Sequence, residues 1–320
     1  MRLETNIAKA IDAIADVNAR YDSNVKWLLS DKQILARILK YTMQEFANEP
    51  IEYIITCISD VEVGNVYAEP GLTNMGRVRG EATEDAIPNE GKIVYDIRFS
   101  VIHKKEKIKI LVNVEAQKST DSAKLGYHLE NRVIYYLARM VSTQKETEFF
   151  HSDYDNIKRV RSIWICMDAG ADEEAIEEIS LYRRQLDCKD GILAEVDLIK
   201  GIIIKLRQRE GVKKSKNTLI SMLEDLLAQT EAEEKKENLK RYGIIMTEEI
   251  ERRLGDMCNL SEAIAEEAME KGIEKGIEKG IEKECLSSIR KMLKKGYSGD
   301  EIKDVLEVSD SQLQAAMKLN

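Results

Sequence analysis

GKIVYDIRFSVIHKKEKIKILVNVEAQK, residues 91–118, holds two runs of alternating apolar and polar residues on either side of a charged break at 103–107. In the first run Ile93, Tyr95, Ile97, Phe99 and Val101 alternate with Lys92, Val94, Asp96, Arg98 and Ser100. In the second, Ile108, Ile110, Val112, Val114 and Ala116 alternate with Lys109, Leu111, Asn113, Glu115 and Gln117. Period two over such lengths marks half-buried strands, and the break between them predicts an antiparallel hairpin. Because successive side chains point to opposite faces, Asp96, Glu115 and Gln117 fall together on the less apolar one.

A loop centred on Lys105 and Glu106 sets Asp96 opposite Glu115. Opposed side chains on one face stand about 5 Å apart, close enough for two carboxylates to share a divalent cation. Without a cation they repel, so the pairing predicts a metal site. The plainer alternative is a solvent-facing sheet edge with scattered polar residues.

An Asp on one strand, Glu-x-Gln on the next and a helix after it resembles the PD-(D/E)XK nuclease superfamily, with Gln117 where Lys is commoner. The wider strings are Trp27-Leu-Leu-Ser-Asp-Lys, Val94-Tyr-Asp-Ile-Arg-Phe, Val114-Glu-Ala-Gln-Lys-Ser and Gly126-Tyr-His-Leu-Glu-Asn-Arg. They are similar to the PD-(D/E)XK family transposases, or recombination-promoting nucleases. That resemblance implies an α/β fold: a restriction-endonuclease-like αβββαβ core, a mixed sheet flanked by helices, with an α-helical C-terminal extension. It also implies a Mg²⁺-dependent DNA endonuclease, with Mn²⁺ as a substitute, that acts in recombination or on foreign DNA. Asp96 and Glu115 would be its metal ligands, and Gln117 would orient the attacking water. Lys118 points to the other face of an ideal strand and takes part only if a bulge rotates it. The second reading is a catalytically idle, nuclease-derived protein that binds DNA or assembles through its C-terminal helices, as a homo-oligomer or with other partners.

The 320 residues suffice for one substantial domain with appendages. A net charge of −9 argues against a uniformly basic coat, yet residues 91–141 carry ten Lys/Arg against five Asp/Glu. That local excess is compatible with a phosphate-backbone partner. The five cysteines are widely spaced with no CxxC, which predicts reduced thiols and no zinc set. No apolar run approaches a membrane span and no leader pattern is present, so a soluble, cytoplasmic chain with no membrane partner is expected.

Along the chain, residues 1–25 read as an amphipathic helical arm and 26–210 as the nuclease-like domain. Ser30-Asp-Lys-Gln33 reads as a capping box that opens a helix running to Phe46. Glu45, on that helix, is either an acidic support for the metal site or a boundary residue reaching water. Residues 59–90, rich in Gly and Pro, read as an edge strand and loop. A helix is predicted over 123–143, with His128, Arg132, Tyr135 and Arg139 following one path along it. That row suits DNA phosphate contacts, or else is an ordinary mix of core and solvated residues. Strands follow at 160–168 and 194–206, with Gly201 marking a bulge and Asp168 capping a turn. A helical extension spans 211–268. The GIEK repeats, 269–284, read as a marginal helix or flexible spacer because each Gly costs about 1 kcal/mol in a helix. Residues 285–320 form a small helix-turn-helix-like tail.

Overall fold

The structure, a computed structural model, describes residues 6–59, 61–64, 84–87, 91–168, 174–186, 192–207, 214–228 and 230–318. Residues 65–83 of the expected 59–90 strand and loop, and the turn after Asp168, lie outside these residues. The chain divides into two compact units, Met1–Ser261 and Glu262–Asn320.

The first unit is α/β. Its six-stranded mixed sheet contains β1 (Glu62–Val63), β4 (Ile97–His103), β5 (Ile108–Ser119), β6 (Arg159–Asp168), β7 (Ala175–Arg184) and β8 (Ile192–Lys205). The spatial order is β1-β4-β5-β6-β8-β7. β5, β6 and β8 run parallel, and the flanking pairs are antiparallel. Helices α4 (Ser122–Leu125) and α5 (Leu129–Ser142) make the crossover from β5 to β6.

The hairpin has the register that its loop dictates, with Ile97 opposite Val114 and His103 opposite Ile108. The alternation then sorts its residues between two cores. Ile97, Phe99, Val101, Ile110, Val112 and Val114 join Ile163, Ile165, Ile202 and Ile204 on one face. That face packs on α1 (Asn6–Leu29), α2 (Lys32–Thr42), α3 (Ile51–Cys57) and α6 (Thr218–Leu227), and on Ile250, Leu254 and Met257 of α8 (Glu248–Lys294). On the other face Tyr95, Leu111, Val160, Trp164, Cys166 and Ile203 meet Leu129, Val133, Tyr136, Leu137 and Met140 of α5. Both faces are covered over much of the hairpin, so Arg98, Ser100, Asn113 and Glu115 of its expected polar face are buried.

The structure departs from several expectations, each for a local reason. The first strand is not continuous: β3 (Gly91–Val94) pairs with β2 (Glu84–Ile87) in a separate ribbon, and β4 starts only at Ile97. Tyr95 and Asp96 form the joint, and Tyr95 turns to the α5 side, edge-on to Tyr136 at 5.4 Å. The N-cap of α2 is Asp31, whose carboxylate accepts from Gln33 N–H at 2.8 Å, while Ser30 Oγ donates to Trp27 O. That helix ends at Thr42, and Glu45 sits in a short 3-10 turn, Gln44–Phe46. The expected helix over 123–143 is two helices, because Gly126 takes φ +79° and closes α4.

The irregularity expected at Gly201 lies beside it on the β7 edge, where the pairing jumps from Ser180–Lys200 to Leu181–Val196, while the β6–β8 register runs unbroken. Gly201 itself serves close approach of α5 to the sheet, since a Cβ there would lie 2.4 Å from Val133 Cγ1. β7 has no counterpart among the strands expected from the sequence. α1 extends through Leu29, so residues 26–29, expected in the nuclease-like domain, belong to the same helix as the expected arm. The expected helical extension over 211–268 holds α6, then α7 (Ala232–Arg241), then the start of α8.

α8 runs without a break through the GIEK repeats. Three glycines cost roughly 3 kcal/mol, but a helix held at its ends avoids the nucleation penalty of a restart. In the second unit, α9 (Gly299–Leu306) carries a complete capping box between Ser298 and Glu301. Ile289, Ile302, Leu313 and Ala316 form the core that joins α9 and α10 (Asp310–Lys318) to the end of α8. Among the described residues no helix is long and apolar enough to cross a membrane.

Candidate active site: an acid pair at the end of the central hairpin

The joint before β4 brings Asp96 and Glu115 together. Asp96 N–H donates to Glu115 Oε1 at 3.2 Å, and Ala116 N–H donates to Asp96 Oδ2 at 3.0 Å. The Asp96 side chain thus takes over the acceptor role that a strand carbonyl would have filled, which is why the ladder ends here. Its other oxygen, Oδ1, lies 2.9 Å from Lys26 Nζ. Lys26 also pairs with Asp22 Oδ2, one helical turn earlier on α1, at 2.7 Å.

Glu115 is 3% exposed and opposes Trp164 across the parallel β5–β6 pair. Asn113 Nδ2 donates to its Oε1 at 3.0 Å, whereas the buried Asn113 Oδ1 has no donor among the described residues. Burial, and then the Asp96 charge, push the Glu115 carboxyl up to about 8, against the hydrogen bonds from Asp96 N–H and Asn113 and the charge of Arg132. For Lys26, burial works against the charged form, but Asp96 and Asp22 more than offset it and its pKa rises.

Gln117 is half-buried, two residues on, and its Oε1 faces Arg132 Nη1 at 3.4 Å. Arg132 donates to Tyr127 OH at 2.8 Å and to Tyr136 OH at 3.0 Å, and its guanidinium lies over the rings of Tyr136 and Trp164. Burial pulls its pKa down, but hydrogen bonds to the Tyr136 and Tyr127 hydroxyls produce a net rise, so it is a fixed positive charge beside Gln117. The same burial and the charge of Glu115 push the Tyr136 phenol up.

The other expected site residues lie as follows. Lys118 is exposed on the opposite side of β5 from Gln117, with no bulge between β5 and β6 to rotate it. His128 is the exposed N-cap residue of α5, and Tyr135 is 47% exposed. Arg139 is 2% exposed, so the expected row of DNA contacts is interrupted: its fourth member is a core residue, because α5 turns that position towards the sheet.

Glu45 is not near the acid pair. It accepts from Arg161 Nη2 at 2.8 Å and Arg159 Nη1 at 3.2 Å, and Arg161 also bonds Asp197 Oδ1 at 2.6 Å. Arg161 shares the face of Ile163 and Ile165, opposite to that of Glu115, and stands beside Val112, three residues before Glu115. The acidic residue that a helix does bring to this end is Asp22, through Lys26. Neither stands out in the sequence. The available signal was an i, i+4 acid–base pair set among the apolar residues Val25, Leu28 and Leu29.

The donor set suits a hard divalent cation. It comprises carboxylate oxygens, a buried amide oxygen without a donor, and no His or Cys. It is not a ready-made cage: among the described residues no group of three His, Cys, Asp or Glu converges at metal-binding distance. An ion here would be held by Asp96 and Glu115 and completed by water and substrate oxygens, as suits Mg²⁺. Comparison with protein-family models, with curated proteins and with solved structures finds no match to this chain.

Proposed function

We propose that the protein is a Mg²⁺-dependent DNA endonuclease of the PD-(D/E)XK type, with Asp96 and Glu115 as metal ligands and Gln117 as a water-orienting residue. The observation that carries this reading is the meeting of two carboxylates at a strand joint, one of them 3% exposed and with its pKa pushed up to about 8. An apolar pair at these positions would cost far less, so the charge is kept for a purpose that a cation satisfies. A divalent ion bound here would lower the pKa of a water and offset charge on the scissile phosphate.

The chain's own residues supply the rest. Asn113 and Asp96 N–H hold Glu115 in one orientation. The Gln117 amide, whose oxygen faces Arg132, leaves its NH₂ to position a water or a phosphate oxygen. Arg132, stacked and hydrogen-bonded, fixes positive charge beside the path of the phosphodiester. Recombination and action on foreign DNA both call for this chemistry.

One observation favours the second reading, an idle descendant that binds DNA or assembles through its C-terminal helices: Lys26 already neutralises Asp96. Nicking of supercoiled plasmid by purified protein with Mg²⁺ or Mn²⁺ decides between them. Asp96→Ala and Glu115→Ala should each abolish nicking with unchanged circular dichroism. Equal activity in wild type and both variants refutes the assignment, and absence of any Asp96-dependent metal binding favours the idle protein.

A further inference from the structure

Lys26 stands in a place that nothing in the hairpin requires. It is 6% exposed on α1, between Val25 and the buried Leu28 and Leu29, yet its ammonium reaches across to Asp96 Oδ1 at 2.9 Å. Asp22 Oδ2, on the same helix at 2.7 Å, keeps it from swinging elsewhere. A buried ammonium with two carboxylate partners is stable only while those partners are charged and in reach. The Asp96 oxygen that it takes is the one left free by the backbone, since Oδ2 is bound to Ala116 N–H. A divalent ion bound through Asp96 would need that oxygen, and an ammonium beside the ion would repel it.

We propose that Lys26 is a tethered internal counter-cation which a divalent metal must displace from Asp96 before the site is loaded. This rests on the reading of Asp96 and Glu115 as metal ligands and adds a control on their occupancy. Lys26 keeps the acid pair tolerable when no metal is present, and it sets a threshold concentration of metal below which the site stays closed. On displacement the ammonium has Asp22 as its remaining partner. Asp22 is half-buried, so the exchange moves Lys26 outwards along α1 without stranding its charge.

The test is calorimetric titration of Mn²⁺ into the full chain, as wild type, Lys26→Met and Asp96→Ala. A second measurement needs no variant at all: acylation of Lys26 by an amine-reactive ester, followed by mass spectrometry with and without Mn²⁺. Removal of one positive charge from contact with a ligand oxygen should tighten Mn²⁺ binding in Lys26→Met by about tenfold or more. In the wild type, saturating Mn²⁺ should raise acylation of Lys26 several-fold while exposed lysines such as Lys105 stay constant. The metal-free Lys26→Met protein should melt lower than wild type and gain more from Mn²⁺. Asp96-dependent binding that is equal or weaker in Lys26→Met, with Lys26 acylation unchanged by Mn²⁺, overturns the exchange and leaves the metal site standing. If Mn²⁺ binding independent of Asp96, or no binding, is found in wild type and Lys26→Met alike, the metal site falls and the exchange falls with it.

Discussion

Metal binding at the acid pair should be strongly coupled to pH through Glu115. Its carboxyl is pushed up to about 8 by burial and by the neighbouring Asp96 charge, so at neutral pH most molecules without metal carry it protonated. A hard cation binds the carboxylate and must expel that proton. With a pKa of about 8 the apparent affinity should be lowest at pH 6 and rise by some tens of fold towards pH 8, about 2 kcal/mol. The folded-state pKa lies above the unfolded value, so metal-free stability is greatest below the ordinary carboxylate range. It declines as pH rises through about 8, because ionisation of the buried group disfavours the fold. Saturating Mn²⁺ should flatten or reverse that decline. Titration of Mn²⁺ at pH 6, 7 and 8, in buffers of different ionisation enthalpy, measures both affinity and proton release, which should amount to most of one proton at pH 7. Glu115→Gln should remove the pH dependence along with most of the affinity. Wild-type affinity that is flat between pH 6 and 8, with no proton released, refutes the account of Glu115.

Glu45→Gln should leave metal affinity and nicking unchanged but lower the melting temperature, since it weakens the hold on buried Arg161 by about 1–3 kcal/mol while Asp197 remains; a loss of metal binding would place Glu45 in the site after all. Gly201→Ala should destabilise by about 1–3 kcal/mol because its Cβ would stand 2.4 Å from Val133 Cγ1, and Val133→Ala in the same chain should recover part of that loss in a denaturant titration. Gly280→Ala, on an exposed stretch of α8 with open space around the added methyl, should raise helicity and add up to about 1 kcal/mol, read by circular dichroism on heating; unchanged helicity would argue that this segment is not helical in solution.

The hairpin was legible because two local signals agreed. A strict period of two fixed the faces, and the charged break fixed the register that sets Ile97 opposite Val114. The joint at Asp96 was not legible, because alternation runs through it unbroken in sequence. Only the side-chain hydrogen bond to Ala116 N–H, a contact between residues twenty apart, ends the ladder there. Lys26 was missed for a related reason. A lysine in an amphipathic helix ordinarily snorkels to water, and nothing nearby in sequence says that Asp96 waits for it. Glu45 drew attention through a stripe of apolar neighbours, but the helix that carried the stripe stops at Thr42 and its partner is an arginine on another strand. β7 escaped because its exposed Glu177 and Glu178 suit an edge strand with a solvated face, where acidic residues also guard the open edge.

The row Asn113, Glu115 and Gln117 lies under α5, on a face whose other residues are Leu111, Trp164, Cys166 and aromatic side chains. In a sheet covered on both sides, three consecutive inward polar positions are a liability, and the fold offsets it piece by piece. Asn113 is given to Glu115, Gln117 to Arg132, and Arg132 to two tyrosine hydroxyls and an indole face. Ser162, opposite Asn113, accepts the Trp164 indole N–H at 2.7 Å, so even the neighbouring strand spends a side chain on polar bonding. Such a network rigidifies one arrangement only if every member is satisfied. Two members fall short: Glu115, whose charge has no full partner, and Asn113 Oδ1, which has no donor among the described residues. Both deficits lie within one residue step on the same face and both are oxygen acceptors, so a single hydrated cation would settle them together.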